Sequence, residues 1–486
     1  MIGIGYFKKT KLRPSHSHFI LGFLLFFLTG CITVGPDYET PDTSVTEAWS
    51  QALKKDFSGE EPTLQSYWKI YEDELLNTII DKATVGNLNL KLALARIQEA
   101  RALRGAAEGE LFPTIDGTGS AFRTRQSEDT VPDIPSDLDR NASFFQGGTA
   151  IDWELDLWGR IRRSIESADA TEQASIEDYR DTLVLLYAEV ASNYIEVRAL
   201  QARITYAKRN ISAQKETLEL TKNRNQAGLA PDLDVKQAEL NLAQTEARIP
   251  PLRAALMQTI HRLGILTGET PGALYKDLKE SKAIPLPPEE TAVGLPVDLL
   301  RQRPDIRRVE RELASQHARI GVAKAALYPT FTLPGSFVME ATVFDKMFNT
   351  DNLAFEFGPS FRWNLFAGGR IRNAIRVEEA RTQQALHLYQ QTVLDALEEV
   401  ENAMVDLSEE RLRLTSLQRA VSAADTSVDL VKTLYRSGLT DFQNVLDMQR
   451  ELTAQQDNLA ASKGILGQNF VQLYRALGGG WTLAEE

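Results

Sequence analysis

Residues 176–218 read IEDYRDTLVLLYAEVASNYIEVRALQARITYAKRNISAQKETL, and every seventh residue of this stretch, from its first to its last, is aliphatic. The stretch 386–428 has the same property 210 positions later. A heptad pattern of this length predicts helices that wind around a partner in a left-handed supercoil. Because residues 160–227 and 370–437 contain no proline, each is predicted to form one helix of about 100 Å.

Shorter motifs show that the chain holds two copies of one plan. The matching pairs are LFPTI at 111–115 with LYPTF at 327–331, GRIR at 159–162 with GRIR at 369–372, and AGL at 227–229 with SGL at 437–439. Gly228 and Gly438 are expected to end the long helices, because glycine readily adopts the left-handed backbone conformation. Pro250 and Pro251 should kink or restart the helical segment after the first of these ends.

The two copies suggest a division of the whole chain. The predicted parts are a signal peptide at 1–30, an extended segment at 31–74, a first repeat at 75–268, a proline-rich linker at 269–296, a second repeat at 297–478 and a tail at 479–486. The first repeat is expected to contain helix 88–109, β-hairpin 113–158, long helix 160–227 and helix 232–266. The second is expected to contain helix 305–326, β-hairpin 329–366, long helix 370–437 and helix 440–477.

The hairpins are predicted from a change to period two. Apolar and polar residues alternate from Ile151 to Leu157 and from Leu353 to Leu365, with partner strands expected near 114–123 and 330–340. Strands of about ten residues with one aromatic face are typical of transmembrane β-barrels. A sheet that packs its apolar face on helices would give the same alternation. The acidic stretch 124–144 is expected to form an external loop.

Four strands cannot close a membrane-spanning sheet, because an open edge leaves backbone groups without hydrogen-bond partners in lipid. The strands are therefore predicted to be completed by other copies of the chain. This argument requires at least two copies and does not choose a number.

The N-terminus has the pattern of a signal peptide. A basic stretch at 8–13 precedes an apolar run at 19–28, which is too short to span a bilayer. Leu28-Thr29-Gly30-Cys31 resembles the bacterial lipobox, which implies cleavage before Cys31 and acylation of its thiol. By the same resemblance, Ile32 instead of aspartate permits sorting to the outer membrane. The alternative is a plain secretory signal with an incidental cysteine.

Composition excludes several classes of protein. The 486 residues are 43% apolar, which argues against wholesale disorder, and the net charge of −13 argues against a nucleic-acid partner. Cys31 is the one cysteine, and the histidines after the signal peptide are scattered singly. Phosphate-binding, paired-histidine and nucleophile-elbow motifs are absent from the sequence. We therefore predict no catalytic residues, metal or cofactor beyond the covalent lipid on Cys31.

Several motifs carry a resemblance to a known family. VGPDY at 34–38, LLRQRPDI at 299–306 and LGGGW at 477–481, together with the lipobox, resemble the outer-membrane efflux lipoproteins of the TolC-like outer-membrane factor family, in its OprM/NodT branch. The resemblance implies a mixed, mostly helical fold and a homotrimer. Antiparallel coiled-coil helices would form a periplasmic α-barrel, and four strands per chain would form a 12-stranded transmembrane β-barrel.

The implied function is that of a passive exit duct. Such a duct receives substrates from a periplasmic adaptor and an inner-membrane pump and lies in the cell outer membrane. The resemblance places a periplasmic gate just beyond the second helix end, at Asp447, Arg450 and Asn444, with Asp234 at the corresponding position of the first repeat. The alternative for Asp447 and Arg450 is an exposed helical ion pair.

Adaptor docking is expected at the two turns that follow the long helices, at Gly228, Leu229, Gly438 and Leu439. The alternative for the glycines is turn geometry alone; an apolar residue on an exposed turn points more directly to a partner. Three other functions compete with the efflux duct: a type I protein secretion duct, a coiled-coil lipoprotein that tethers the outer membrane without a pore, and an enzyme on a helical scaffold.

Overall fold

The computed structural model describes residues 33–42, 48–49, 57–58, 60, 62, 64–127, 129 and 140–481. The predicted signal peptide, Cys31 and the last five residues of the predicted tail lie outside the described residues. The described chain is mostly helical, in agreement with the predicted fold class.

The α-helices are α1 (Glu74–Gly86), α2 (Leu88–Gly109), α3 (Arg160–Gln226), α4 (Asp232–Glu246), α5 (Ile249–Leu266), α6 (Tyr275–Leu278), α7 (Leu299–Gln302), α8 (Pro304–Ala325), α9 (Arg370–Arg436) and α10 (Phe442–Ala476). The long helices α3 and α9 have 67 residues each. Their ends lie within one residue of those that the heptads and the absence of proline predicted. Among the described residues, none of the helices is both long enough and apolar enough to cross a membrane.

The segment after α3 is divided into α4 and α5, as the proline pair predicted. The chain leaves regular helix at Ala247 and Arg248, and α5 begins at Ile249 with prolines in its first turn. Proline is tolerated there because the first amide groups of a helix have no partner within the helix. The corresponding segment α10 contains no proline and is continuous.

The β-strands are β1 (Phe57–Ser58), β2 (Thr114–Arg125), β3 (Asn141–Asp152), β4 (Glu154–Leu155), β5 (Thr291–Ala292), β6 (Thr330–Thr332), β7 (Gly335–Ala341), β8 (Leu353–Phe357) and β9 (Ser360–Arg362). An antiparallel four-stranded sheet has the order β2-β3-β7-β8, with Thr114 opposite Asp152 and Gly335 opposite Phe357. A three-stranded antiparallel sheet has the order β4-β6-β9, and β1 pairs with β5 in parallel. The edges of the larger sheet are β2 and β8.

The strand predicted from Ile151 to Leu157 is confirmed only in part, at 151–152 and 154–155. The long strand β3 ends at Asp152, and only Glu154–Leu155 follow as β4. Residues 144–151 read FFQGGTAI and lack alternation, so their strand structure depends on cross-strand pairing with β2 and β7. A Cβ at Gly148 would lie 2.1 Å from the carbonyl oxygen of Phe337, which explains the glycine in a strand interior.

The loop predicted at 124–144 is shorter at both ends than predicted, because β2 reaches Arg125 and β3 begins at Asn141. The second pair of predicted strands is interrupted at Pro334 and Pro359, between β6 and β7 and between β8 and β9. Proline cannot donate to the ladder of a sheet, so each strand is broken there. The Leu333 amide nevertheless donates to the carbonyl of Trp153, 2.8 Å away, across the break.

The chain forms two compact units that cut across the sequence repeats. Of the described residues, those within 33–40, 101–171 and 313–385 form the sheet unit, and those within 41–100, 172–312 and 386–481 form the helical unit. Each unit therefore takes segments from both repeats. The helical unit has an extensive apolar core that includes Leu76, Ile79, Tyr194, Ile195, Leu263 and Phe470.

Candidate functional site

The two long helices end in the same backbone motif. Gly228 has φ +74° and Gly438 has φ +73°, the left-handed region that glycine tolerates. The Gly228 amide donates to the Asn225 carbonyl at 2.8 Å, and the Leu229 amide donates to the Arg224 carbonyl at 2.8 Å. This pair of bonds is a Schellman motif, and the corresponding bonds follow α9. The glycines thus end the helices as the sequence indicated.

Each turn presents a leucine to solvent. Leu229 is 67% exposed and Leu439 is 74% exposed. Exposed leucines at two equivalent turns form apolar patches that the chain itself does not cover. They are the predicted docking residues, and their geometry is compatible with that role.

Arg224 connects the two turns. Its guanidinium donates to the carbonyl oxygens of Tyr435 and Arg436, at 3.0 and 3.1 Å, and lies 4.7 Å from the centre of the Tyr435 ring. A cation at this position satisfies the last carbonyl groups of α9 and complements the negative end of its dipole. Arg224 was not predicted from the sequence. The signal that could have identified it is that Leu434 occupies its position in the second repeat.

Asp234, a predicted gate residue in the first turn of α4, is half-buried near this contact. Burial and the charge of Asp441 raise the pKa of Asp234, whereas Arg224 and the Tyr435 hydroxyl lower it. The structure therefore brings Asp234 together with Arg224 and Tyr435.

The other predicted gate residues, Asn444, Asp447 and Arg450, are exposed on α10. The Gln443 amide donates to an Asp447 carboxylate oxygen at 2.9 Å, and the Asn444 amide donates to the Thr440 hydroxyl at 2.8 Å. Arg450 reaches the side-chain oxygen of Asn241 on α4 at 3.4 Å instead of forming the i,i+3 ion pair with Asp447.

The opposite face of α10 explains this exposure. A buried cluster holds the turn together, consisting of Leu218, Ala238, Val431, Tyr435, Phe442, Val445 and Leu446. Below it, the buried Gln449 amide donates to the Thr217 hydroxyl at 2.8 Å. With Phe442, Val445 and Gln449 facing inward, helical periodicity turns Asn444 and Asp447 outward. The helix face opposite Asn444 and Asp447 is therefore fixed by packing, and these two side chains point to solvent.

A second exposed surface lies in the sheet unit. Six large apolar side chains on and after β8 are at least half exposed: Phe355, Phe357, Phe361, Trp363, Leu365 and Phe366. Such a concentration of exposed aromatic residues on strands marks an interaction surface or a contact with lipid. In the described part of the chain, no group of three or more histidine, cysteine, aspartate or glutamate side chains is placed to hold a metal ion.

Comparison with known proteins agrees with these features. A model of the family "Outer membrane efflux protein" matches residues 79–269 and 295–479. Nodulation protein T of Rhizobium leguminosarum bv. trifolii is 28% identical over 95% of this chain and 97% of its own length. The solvent efflux pump outer membrane protein SrpC of Pseudomonas putida is 29% identical over 95% of this chain and 98% of its own length.

A solved structure of the outer-membrane channel OprN is 36% identical, has a TM-score of 0.85, and covers 92% of this chain and 99% of that chain. These matches confirm the predicted family, the outer-membrane location and the role in efflux. The match to most of both repeats leaves one conclusion: the chain belongs to the outer membrane efflux protein family.

Proposed function

We propose that three copies of this chain form one gated exit duct, closed in the outer membrane by a 12-stranded barrel. The observation that carries this proposal is the four-stranded sheet with β2 and β8 at its edges. An edge strand in lipid leaves alternate backbone groups without partners, at several kcal/mol each. Pairing of β2 with β8 of the next copy removes both edges, and a closed ring of copies satisfies every strand.

The surface chemistry supports the same assembly. The exposed aromatic and leucine side chains between Phe355 and Phe366 would face lipid, where they need no protein partner. A tether without a pore does not need such a surface. The function is therefore that of a duct, with its helices extending into the periplasm.

At the periplasmic end, Asp447 and Asn444 would ring the axis, with Arg450 and Asp234 at the flanks of the gate. Three copies of an exposed carboxylate close to one axis repel each other and attract cations. Bonds of Asp447 and Arg450 to neutral partners in the single chain support a carboxylate ring that is not neutralised from within.

The turns at Gly228-Leu229 and Gly438-Leu439 would receive the periplasmic adaptor, which links the duct to the inner-membrane pump. The exposed leucines supply the apolar contact. Cys31 would carry the covalent lipid anchor. The name of the solvent-efflux relative favours small molecules over proteins as cargo.

Purified full-length protein in a planar bilayer tests the proposal. We expect a trimer by native mass spectrometry in mild detergent and discrete conductance steps after insertion. A stable monomer that gives no conductance would exclude the duct and favour the tether. Conductance from a dimer or tetramer would retain the duct and correct the number of copies.

A further inference from the structure

The first described residues form a strap, residues 33–38, that packs on helix backbone. The Val34 amide donates to the Trp158 carbonyl at 3.0 Å. Gly35 has φ +101°, and a Cβ there would lie 2.7 Å from the Cα of Gly321 on α8. Such contact permits only glycine at this point of the strap.

Arg163, in the first turn of α3, holds this strap. Its side chain is only 4% exposed. The guanidinium donates to the Asp37 carboxylate at 2.7 Å and to the carbonyl oxygens of Val34 and Gly35 at 3.3 Å each. It also donates to Glu166 at 2.6 Å. A buried guanidinium requires such partners, since an unsatisfied buried charge is strongly destabilising. The strap supplies most of them.

The repeat-related positions offer a natural comparison, because they carry no such site. Asn373 stands where Arg163 stands in the first repeat, and Gly105 matches Gly321. A Cβ at Gly321 would meet Arg163 Cγ at 2.6 Å, whereas a Cβ at Gly105 meets nothing within 4 Å. The strap site is thus a specific feature of one junction, separate from the helix geometry that both repeats share.

We propose that Arg163 is a positioning residue that docks the strap on the first turn of α3 and thereby limits how far the lipid anchor on Cys31 can move from the docked strap. This rests on the proposed acylation. One residue, Ile32, separates Cys31 from Thr33, so their Cα atoms lie at most about 7 Å apart. Thr33 itself packs against Gly159, where a Cβ would lie 2.7 Å from its methyl carbon. The acyl chains then set the level at which the membrane surface meets the junction between strands and long helix.

The docking step is tested without the lipid, in a Cys31→Ser background with a nitroxide at the exposed position Glu39→Cys. We expect an immobilised label in the parent and several-fold faster label motion in Arg163→Ala and Gly321→Ala. Gly105→Ala is the matched control, since both glycine substitutions favour helix equally and only one reaches the strap. An equally immobile label in all variants would overturn docking. Arg163→Lys should restore part of the immobilisation.

The anchoring step uses chains with Cys31 intact and a nitroxide at Leu365→Cys, in lipid nanodiscs. The accessibility of this nitroxide to a water-soluble nickel chelate, compared with its accessibility to oxygen, reports how deeply it lies in the bilayer. Arg163→Ala should shift this depth when Cys31 is acylated and should cause no shift in the Cys31→Ser background. Equal shifts in both backgrounds would show a merely structural role and overturn positioning. Mass spectrometry of the N-terminal peptide tests acylation separately. A peptide of unmodified mass would refute the lipid anchor, and this result is independent of whether the strap docks.

Discussion

The two repeats end their long helices with the same backbone geometry, but different side chains stabilise the two turns. Both long helices end at a glycine with φ near +74° and the same pair of hydrogen bonds. In the first turn, Asn225 donates to Ala230 and Asp232, 2.9 Å away each, so that turn is held by its own residues. The second turn is held by Arg224 from the first repeat. The two turns thus share their helix-end geometry, and a side chain of the first repeat supports the turn of the second.

The same contrast occurs in the sheet unit. Gly148 is enclosed by β7, whereas a Cβ at its counterpart Gly358 meets nothing within 4 Å. Arg163 and Gly321 enclose the strap, whereas a Cβ at Gly105 finds open space. Equivalent positions of the repeats therefore serve as matched pairs in which only one member is packed.

The largest effect is expected at Gly148. Gly148→Ala would bring a Cβ to 2.1 Å from Phe337 oxygen and 2.7 Å from Val338 Cα, and backbone cannot move aside as a side chain can. We expect a loss of about 3 kcal/mol or more in stability and little oligomer recovered from membranes. Gly358→Ala, the control, should change neither. Similar losses in both would show that the strand pairing of β3 with β7 is not the cause.

A smaller effect is expected from a carboxylate that only the first repeat carries. Burial and Asp305 raise the pKa of Asp181 to about 6, against the opposing charges of Arg308 and Arg303. Gln391 occupies the matching position. Because folded Asp181 binds its proton more tightly than the unfolded chain does, stability should fall as pH rises from about 4 to about 6 and then stay level.

Asp181→Asn should therefore stabilise the protein at pH 8, by on the order of 2 kcal/mol, and change little at pH 4. Denaturant unfolding at the two pH values checks this. The exposed Asp395→Asn provides the control on α9. If Asp181→Asn destabilised the protein at pH 8, the ionised carboxylate would be a favourable partner of Arg303 and Arg308, and folding would lower its pKa instead of raising it.

These contrasts also show what the sequence could predict. The ends of α3 and α9 followed from heptads, glycines and absent prolines, all of which act within a few residues. The position of β3 did not, because its FFQGG segment is ordered by pairing with β2 and β7. The long-range contacts of Arg163 and Arg224 could not be derived either, since the partners in those contacts lie 126 to 212 residues away. The sequence did contain one sign of these contacts: the repeat-related positions of Arg163 and Arg224 carry the different residues Asn373 and Leu434.

The third prediction compares Arg224 with Leu434, the residue at the equivalent position of the second repeat. Arg224→Ala leaves the carbonyl groups of Tyr435 and Arg436 without this donor, and we expect a loss of about 1–2 kcal/mol. Leu434→Ala at the partly exposed counterpart should cost less than about 0.5 kcal/mol. Protease cleavage within the second turn, followed over time, reports local opening. Equal cleavage rates for the two variants would contradict the supporting role of the first repeat.

The smallest effect on stability is expected at the gate, whose charged pair has no counterpart in the first repeat because Gln237 and Leu240 match Asp447 and Arg450. Asp447→Ala with Arg450→Ala should change stability by only a few tenths of a kcal/mol. Closed-state conductance should nevertheless change, since the double variant removes all charge from the proposed ring. Lys236→Ala with Glu239→Ala, an exposed pair 3.0 Å apart on α4, is the control. A closed-state conductance that matches the parent in both would move the constriction away from Asp447 and leave Asp234, beside Arg224, as the charged group to test next.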